Sequence, residues 1–200
     1  MNILALELSS GEGSIVLQDG KETRFLAEFA NDRKHSGLFF EHLQRCTKQC
    51  AQPERIVIGL GPGSYAGTRI AIATAIGLQS VTGAELVGLP SLCAMPTTIM
   101  EYAVIGDARR QSFWLAQVRA RRCIDGPTLC SGQELNERLD ALNFPVFSAE
   151  ALDAFPRSIL MHPSALILAK IAATDSEDLV RPPLEPLYLR EPHITRPKAA

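Results

Sequence analysis

The sequence carries no Cys-x-x-Cys pair, no long uninterrupted apolar run and no excess of positive charge, and each absence closes off a class of function. Five cysteines (Cys46, Cys50, Cys93, Cys123 and Cys130) are an odd number without the close spacing of a disulfide scaffold or a zinc site. They read as reduced thiols of a cytosolic protein. The most apolar segment, Ile70 to Leu78, is broken by Thr74 and falls short of the roughly 20 residues that a bilayer demands. The opening residues Asn2-Ile3-Leu4-Ala5-Leu6-Glu7 lack the basic start, apolar core and small-residue cleavage site of a secretion signal, so a cytoplasmic location without membrane contact is expected. Twenty Lys and Arg against 22 Asp and Glu leave a formal net charge of -2, too little field to hold nucleic acid over the whole surface. Any RNA contact is expected to be local or through a partner. What remains is a globular chain of 200 residues, 46% hydrophobic and 21% charged, large enough for one good core or two small ones.

Ile3 to Leu8 is an apolar run rather than an alternation, the mark of a strand covered on both faces. Ser14–Gln18 and Glu22–Phe29 flank Asp19-Gly20, which suits a tight hairpin, so the first three strands are expected to form an antiparallel meander. A helix is predicted over Ser36–Cys50, a buried strand over Arg55–Leu60 and a second helix from about Thr68 to Val81. A short strand is expected at Leu86–Leu89 and a helix disturbed by Pro96 over Pro90–Met100. At Tyr102 the pattern restarts: Ala103-Val104-Ile105-Gly106-Asp107 is again an apolar strand closing on a carboxylate, followed by a strand over Ser112–Ala120. Glu7 and Asp107 thus hold equivalent places, which suggests a duplicated chain divided near residue 100, with the two acids facing one another across a cleft. In the second half Ser131-Gly132-Gln133-Glu134 is a capping box for a helix to about Leu142, and Pro163 opens a helix over Ser164–Ala173. That half is read as shorter and more helical. The tail from Arg181 holds Pro182, Pro183, Pro186, Pro192 and Pro197, so it is expected to lie extended on the surface.

Chemistry-bearing groups are few. Gly61-Pro62-Gly63-Ser64-Tyr65-Ala66-Gly67 joins a strand to a helix, an arrangement that can receive an anion. It lacks the Lys-Ser/Thr of a Walker A loop and the spacing of a dinucleotide loop. The plainer reading is that these glycines serve a sharp reversal and a close backbone approach. Glu7 and Asp107 are candidates to hold a magnesium hydrate, against the alternative of acids capped by backbone amides. His35 and His42 are seven residues apart, the wrong interval for a helical metal site. Neither His162 nor His193 pairs with an identifiable nucleophile. Arg109-Arg110 and Arg119-Ala120-Arg121-Arg122 bracket one hairpin, either as a basic edge for phosphates or as charge that blunts an exposed strand.

Two helices say more. Ile70, Ala71, Ile72, Ala73, Ala75, Ile76, Gly77 and Leu78 place apolar groups on every side of the second helix, while Leu38, Phe39, Phe40, His42, Leu43, Cys46 and Cys50 spread over roughly 200° of the first, where roughly 100° suffices for a surface helix. Both therefore carry surplus apolar surface, and an interface burying on the order of 1,000 Å² or more is expected there, against the alternative that the C-terminal half sandwiches both helices inside this chain. Its expected residues are Leu38, Phe39, His42, Leu43 and Cys46 on the first helix and Arg69, Ile70, Ala73, Ile76 and Gly77 on the second.

Ile3-Leu4-Ala5-Leu6-Glu7, Lys34-His35-Ser36, Gly61 to Arg69, Asp107-Ala108-Arg109-Arg110 and Pro186-Leu187-Tyr188-Leu189-Arg190, in this order and nearly end to end, resemble the bacterial TsaB (YeaZ) family. The resemblance implies an α/β chain of the actin/sugar-kinase/Hsp70-like fold, with two ribonuclease-H-like halves (1–100 and a smaller 101–200), each a central mixed β-sheet flanked by helices. It implies a non-catalytic scaffold in the machinery that forms N6-threonylcarbamoyladenosine at position 37 of tRNAs reading codons that begin with A. The implied partners are a TsaD-like catalytic subunit, a TsaE-like ATPase and, through the complex, tRNA; a homodimer through the same helices is an alternative pairing. No catalytic or metal residue is expected, and no cofactor on this chain alone; Glu7, Gly61, Gly63 and Asp107 are the candidates for nucleotide contact, with ATP or ADP at the partner joint. Glu7 where the family usually has Asp, and Tyr65-Ala66 where it commonly has Phe-Thr, suit a scaffold that has lost cleft chemistry. The runner-up is an ATP-hydrolysing or metallopeptidase-like enzyme acting alone through Glu7, Asp107 and the Gly61 to Gly67 loop.

Overall fold

The apolar run at the start of the chain forms β1 (Asn2–Glu7), and it has no polar face because both of its faces are covered. In the computed structural model, which describes residues 1–31, 36–174 and 177–189, β1 pairs antiparallel with β2 (Glu12–Asp19), which turns through Asp19-Gly20 into β3 (Glu22–Ala30). Gly20 takes a φ of 57° there, as the turn requires. Helix α1 (Ser36–Gln49), strand β4 (Arg55–Gly59), helix α2 (Tyr65–Thr82) and strand β5 (Glu85–Leu89) follow, and the sheet order is β3-β2-β1-β4-β5. Lys34, His35, Arg190, Pro192, His193 and Pro197 lie outside the described residues.

Strand alternation sorts the core into two layers. Leu4, Leu6, Leu8, Ile56 and Ile58 face α1 and α2, meeting Phe39, Leu43 and Cys46 on the first helix and Ala71, Ile72 and Ala75 on the second. Ile3, Ala5, Val57 and Val87 face the other way and are covered by α4 (Ala165–Ala172). The helix that closes the first sheet therefore comes from the far end of the chain. Ser164 caps it by accepting from the Leu166 N–H, with Pro163 just outside rather than within the first turn. Buried Ser14 Oγ on β2 accepts from the Ala165 N–H at 2.9 Å.

The second sheet contains β6 (Glu101–Asp107), β7 (Ser112–Arg119), β8 (Arg122–Ser131), β9 (Val146–Ser148) and β10 (Ile159–Leu160), with α3 (Gly132–Asp140) packed against β7 and β8. Its order, read from one edge, is β8-β7-β6-β9-β10, with the same antiparallel and parallel neighbours as β3-β2-β1-β4-β5. The suspected duplication is thus visible in the strand pairing. The second half is not the more helical one: it supplies five strands, and α4 belongs in space to the first sheet. The expected helix over Pro90–Met100 is reduced to a 3-10 turn at Ser91–Ala94, because Leu92, Cys93 and Met95 are drawn into the core against Tyr102, Val104 and Trp114. Helix α2 begins earlier than expected, at Tyr65, because Ser64 is its N-cap.

The tail returns as a strap. Val180 bridges Gly88, the Leu187 N–H donates to the Leu60 carbonyl at 2.8 Å, and Leu184 is buried in the core beneath α1 and α2. Glu85 anchors it, taking the Arg55 guanidinium at 2.7 Å and that of Arg181 at 2.6 Å, while Arg55 also donates to the Ala172 carbonyl at the end of α4. Among the described residues no helix is long and apolar enough to cross a membrane.

If α4 closes the first sheet in solution, Ser14→Ala strands the buried Ala165 N–H, and urea denaturation is expected to show a loss of about 1–3 kcal/mol with an unchanged m-value.

Candidate functional site

The turn from β4 into α2 lies directly against the end of β1. The Ser64 N–H donates to the Ser9 carbonyl at 2.6 Å, and a Cβ on Gly63 would sit 2.0 Å from that same oxygen. A Cβ on Gly67 would sit 2.0 Å from the Leu8 carbonyl. Backbone meets backbone, so side chains are excluded at both places. The Gly61 N–H donates to Ser91 Oγ at 3.0 Å, and its carbonyl accepts from the Ser91 N–H at 2.8 Å. The glycines that suggested a phosphate loop are accounted for by this packing.

Glu7 lies under the same corner and is fully buried. Its Oε1 accepts from the Ser9 N–H at 2.7 Å, and Gly59 makes room for its other oxygen, since a Cβ there would fall 1.8 Å from Oε2. Burial pushes the Glu7 carboxyl above its ordinary pKa; the nearby Ser9 and Ser91 groups temper the effect, but Oε2 itself has no well-formed hydrogen bond. A side chain with no exposure offers no surface to a nucleotide or a magnesium hydrate. Asp107, at the equivalent end of β6, is turned to its own loop: its carboxylate accepts from the Arg109 N–H at 2.6 Å and pairs with the Arg109 guanidinium at 3.0 Å. Its own N–H donates to Glu150 Oε1 at 2.8 Å. The two acids occupy matching strand ends, and each serves local backbone. Two open pockets lie elsewhere, one of about 370 Å³ between the β7–β8 turn and α4 and one of about 330 Å³ beside β10. Among the described residues no cluster of three His, Cys, Asp or Glu side chains is placed to hold a metal ion.

The basic stretches do not form one edge, because Arg109-Arg110 and Arg119 to Arg122 stand at opposite ends of β7. Arg119 pairs with Glu101 at 2.7 Å, Arg122 with Asp178 at 2.9 Å, and Arg121 donates to the carbonyls of Met95 and Thr97.

The helical face remains. Ile70, Ala73, Ile76 and Gly77 of α2 are exposed, as is Arg69, and a Cβ added at Gly77 meets nothing within 4 Å. On α1 the expectation needs correction: Phe39, Leu43 and Cys46 are buried, because they are the residues that reach the sheet and the strap. Burial also pushes the Cys46 thiol up to about 12. Leu38 and His42 are half-buried, His42 lying 5.2 Å from Phe29 ring to ring, and the residue that α1 turns outward is Phe40, 53% exposed. Val81, 82% exposed at the end of α2, and Tyr65 at its start were absent from the expected set. Their spacing held the signal, since Tyr65, Arg69, Ala73, Gly77 and Val81 are each four residues apart and make one ridge.

The Glu7 environment has a measurable sign. Folding raises its pKa above the ordinary 4.5, so the shift contributes nothing below that value, where the group is protonated in both the folded and the unfolded chain, and lowers stability increasingly as pH rises toward the folded-state pKa. Glu7→Gln keeps the acceptor for Ser9 and removes the titration. Its melting temperature, compared with that of the parent chain, is expected to gain as pH rises above about 4.5; a difference that stays constant through that rise counts against a raised pKa.

Comparison with known proteins places this geometry. The family model of TsaD, tRNA N6-adenosine threonylcarbamoyltransferase, matches residues 32–182. An uncharacterized protein of Mycobacterium leprae is 30% identical over 142 residues, covering 70% of this chain and 38% of that protein. An uncharacterized protein of Mycobacterium tuberculosis is 33% identical over 150 residues, covering 71% of this chain and 66% of its own length. The chain spans 38% of the length of the first of these relatives and 66% of the second. In three dimensions it is similar to a Pseudomonas aeruginosa protein described as having similarity to peptidase YeaZ (TM-score 0.74, 20% identity, 94% of this chain and 99% of that one). It is equally similar to YeaZ of Pseudomonas aeruginosa (TM-score 0.73, 19% identity, the same coverage). Matched over well more than half of its length, the chain belongs to the TsaD family, and its fold is that of the TsaB-like YeaZ proteins.

Proposed function

We propose that this chain is a non-catalytic docking subunit that presents α2 and the outward edge of α1 to a TsaD-like catalytic partner, and so supports threonylcarbamoylation of N6 of adenosine 37 in tRNAs reading codons that begin with A. The observation that carries the reading is the uncovered outer ridge of α2. Ile70 and Ile76 are 38% and 48% exposed, and the small residues Ala73 and Gly77 between them permit close approach of another helix. The chain's own C-terminal helix covers the opposite face of the sheet, so it does not supply the missing lid. The family match to TsaD and the YeaZ fold support the pathway, and the net charge of -2 favours tRNA contact through the assembled complex. A TsaE-like ATPase is proposed to join the pair in the cytoplasm, with any ATP or ADP held at the joint, since Glu7 is sealed within this chain. A second copy using the same ridge is the competing occupant.

Co-expression with the TsaD-like protein of the same organism, followed by co-purification and sedimentation, tests the reading. Ala73→Arg or Gly77→Arg is expected to abolish pairing and leave a folded monomer, because each position is open in the free chain while a charge in a tight helix contact loses its hydration. Normal assembly by both variants moves the docking face elsewhere. ATP turnover by the purified chain alone, lost on Glu7→Ala or Asp107→Ala, would instead establish a self-sufficient enzyme.

A further inference from the structure

The strap ends beside the proposed docking ridge. Leu184 and Leu187 pack into the core under α1 and α2, and the next residue, Tyr188, turns outward with its ring 5.5 Å from that of Tyr65 at the first turn of α2. Both tyrosines are about half exposed, at 45% and 51%. Arg69, one turn along α2, lies 5.1 Å over the Tyr65 ring and donates to its hydroxyl at 2.7 Å. Two rings and a guanidinium are thereby assembled in sequence on the surface, continuous with Ala73 and Gly77 along the same four-residue ridge.

Arg69 is the only charged residue in the 18 residues of α2. Among the described residues it meets no carboxylate; the strap's Glu185, three residues before Tyr188, forms no ion pair with it. Covering the ridge with an apolar helix alone would strip this cation of water and leave it only the Tyr65 hydroxyl and ring as partners, with no opposite charge. A partner that closes over Ala73 and Gly77 must therefore bring negative charge to the start of α2. Tyrosine and arginine are also the side chains that most often dominate binding energy, and these are held in place before any partner arrives, which lowers the entropic cost of ordering them.

We propose that the strap forms part of the docking surface: Tyr188, stacked on Tyr65, and Arg69 make a recognition cluster at the N-terminal end of the α2 ridge that takes a partner helix bearing a carboxylate. The inference rests on the docking role proposed for α2 and adds the tail's Tyr188 and a charge requirement to it. Isothermal titration of the full chain with the TsaD-like protein, at low and high salt, measures both. Tyr188→Ala and Arg69→Ala are each expected to weaken pairing about tenfold or more at low salt, with circular-dichroism melts matching the parent. Tyr188→Phe is expected to retain binding, and Arg69→Ala to remove most of the salt dependence that the parent shows. Ala73→Arg, run alongside, reports on the ridge by itself. Parent-like affinity for Tyr188→Ala and Arg69→Ala, with Ala73→Arg inactive in pairing, overturns the cluster and leaves the ridge standing. Weakening by the two cluster variants, with Ala73→Arg neutral, upholds the cluster and removes the ridge. If all three bind like the parent, both fall.

Discussion

The contact on which the architecture turns is a meeting of two backbones: the Gly63 to Gly67 turn against the Leu8 and Ser9 carbonyls at the end of β1. With no Cβ at Gly63 or Gly67, Ser64 can donate to Ser9 and cap α2 at the same time. That fixes where the helix starts, and hence its rotation about its own axis. The small residues Ala71 and Ala75 then face the sheet, and Arg69, Ala73 and Gly77 are left outward. A turn whose composition suggests ligand binding is used to aim a helix.

Much of the first half was legible because its periodicities are clean. The unbroken run of β1, the Asp19-Gly20 turn and the heavily apolar α2 each admit one reading. The α1 helix misled because an apolar arc records how much surface must be covered and not what covers it. Phe39, Leu43 and Cys46 are covered by strands β2 and β3 and by a strap more than 130 residues away in the chain. Strand β8 gave no signal, since an edge strand exposed along most of its length, with Gly126-Pro127 inside it, shows neither alternation nor an apolar run. Glu7 shows a different limit: the acid at the strand end was plain, but its enclosure depends on Gly59, a long-range neighbour whose missing side chain has no periodicity to betray it.

The two sheets share one plan, and the helices depart from it. Each sheet repeats the same order of strands, yet only the first is closed by helices on both faces, and one of those is borrowed from the end of the chain. The second sheet is served by α3 on one side and by the segment around Leu92 to Met95 on the other. The halves are thus interleaved, with Arg55 joining β4 to β5 and to the end of α4. Such interleaving makes the helical face of one half depend on residues contributed by the other.

The strap gives this dependence a direction in time. A chain emerging from the ribosome exposes α1, α2 and the first sheet long before Leu184, Leu187 and Tyr188 exist, so the layer beneath the helices stays open until the strap has been made. A fragment that stops early would carry the helices without the wedge that seats them. The helical face is therefore seated by a segment that leaves the exit tunnel well after the helices it supports.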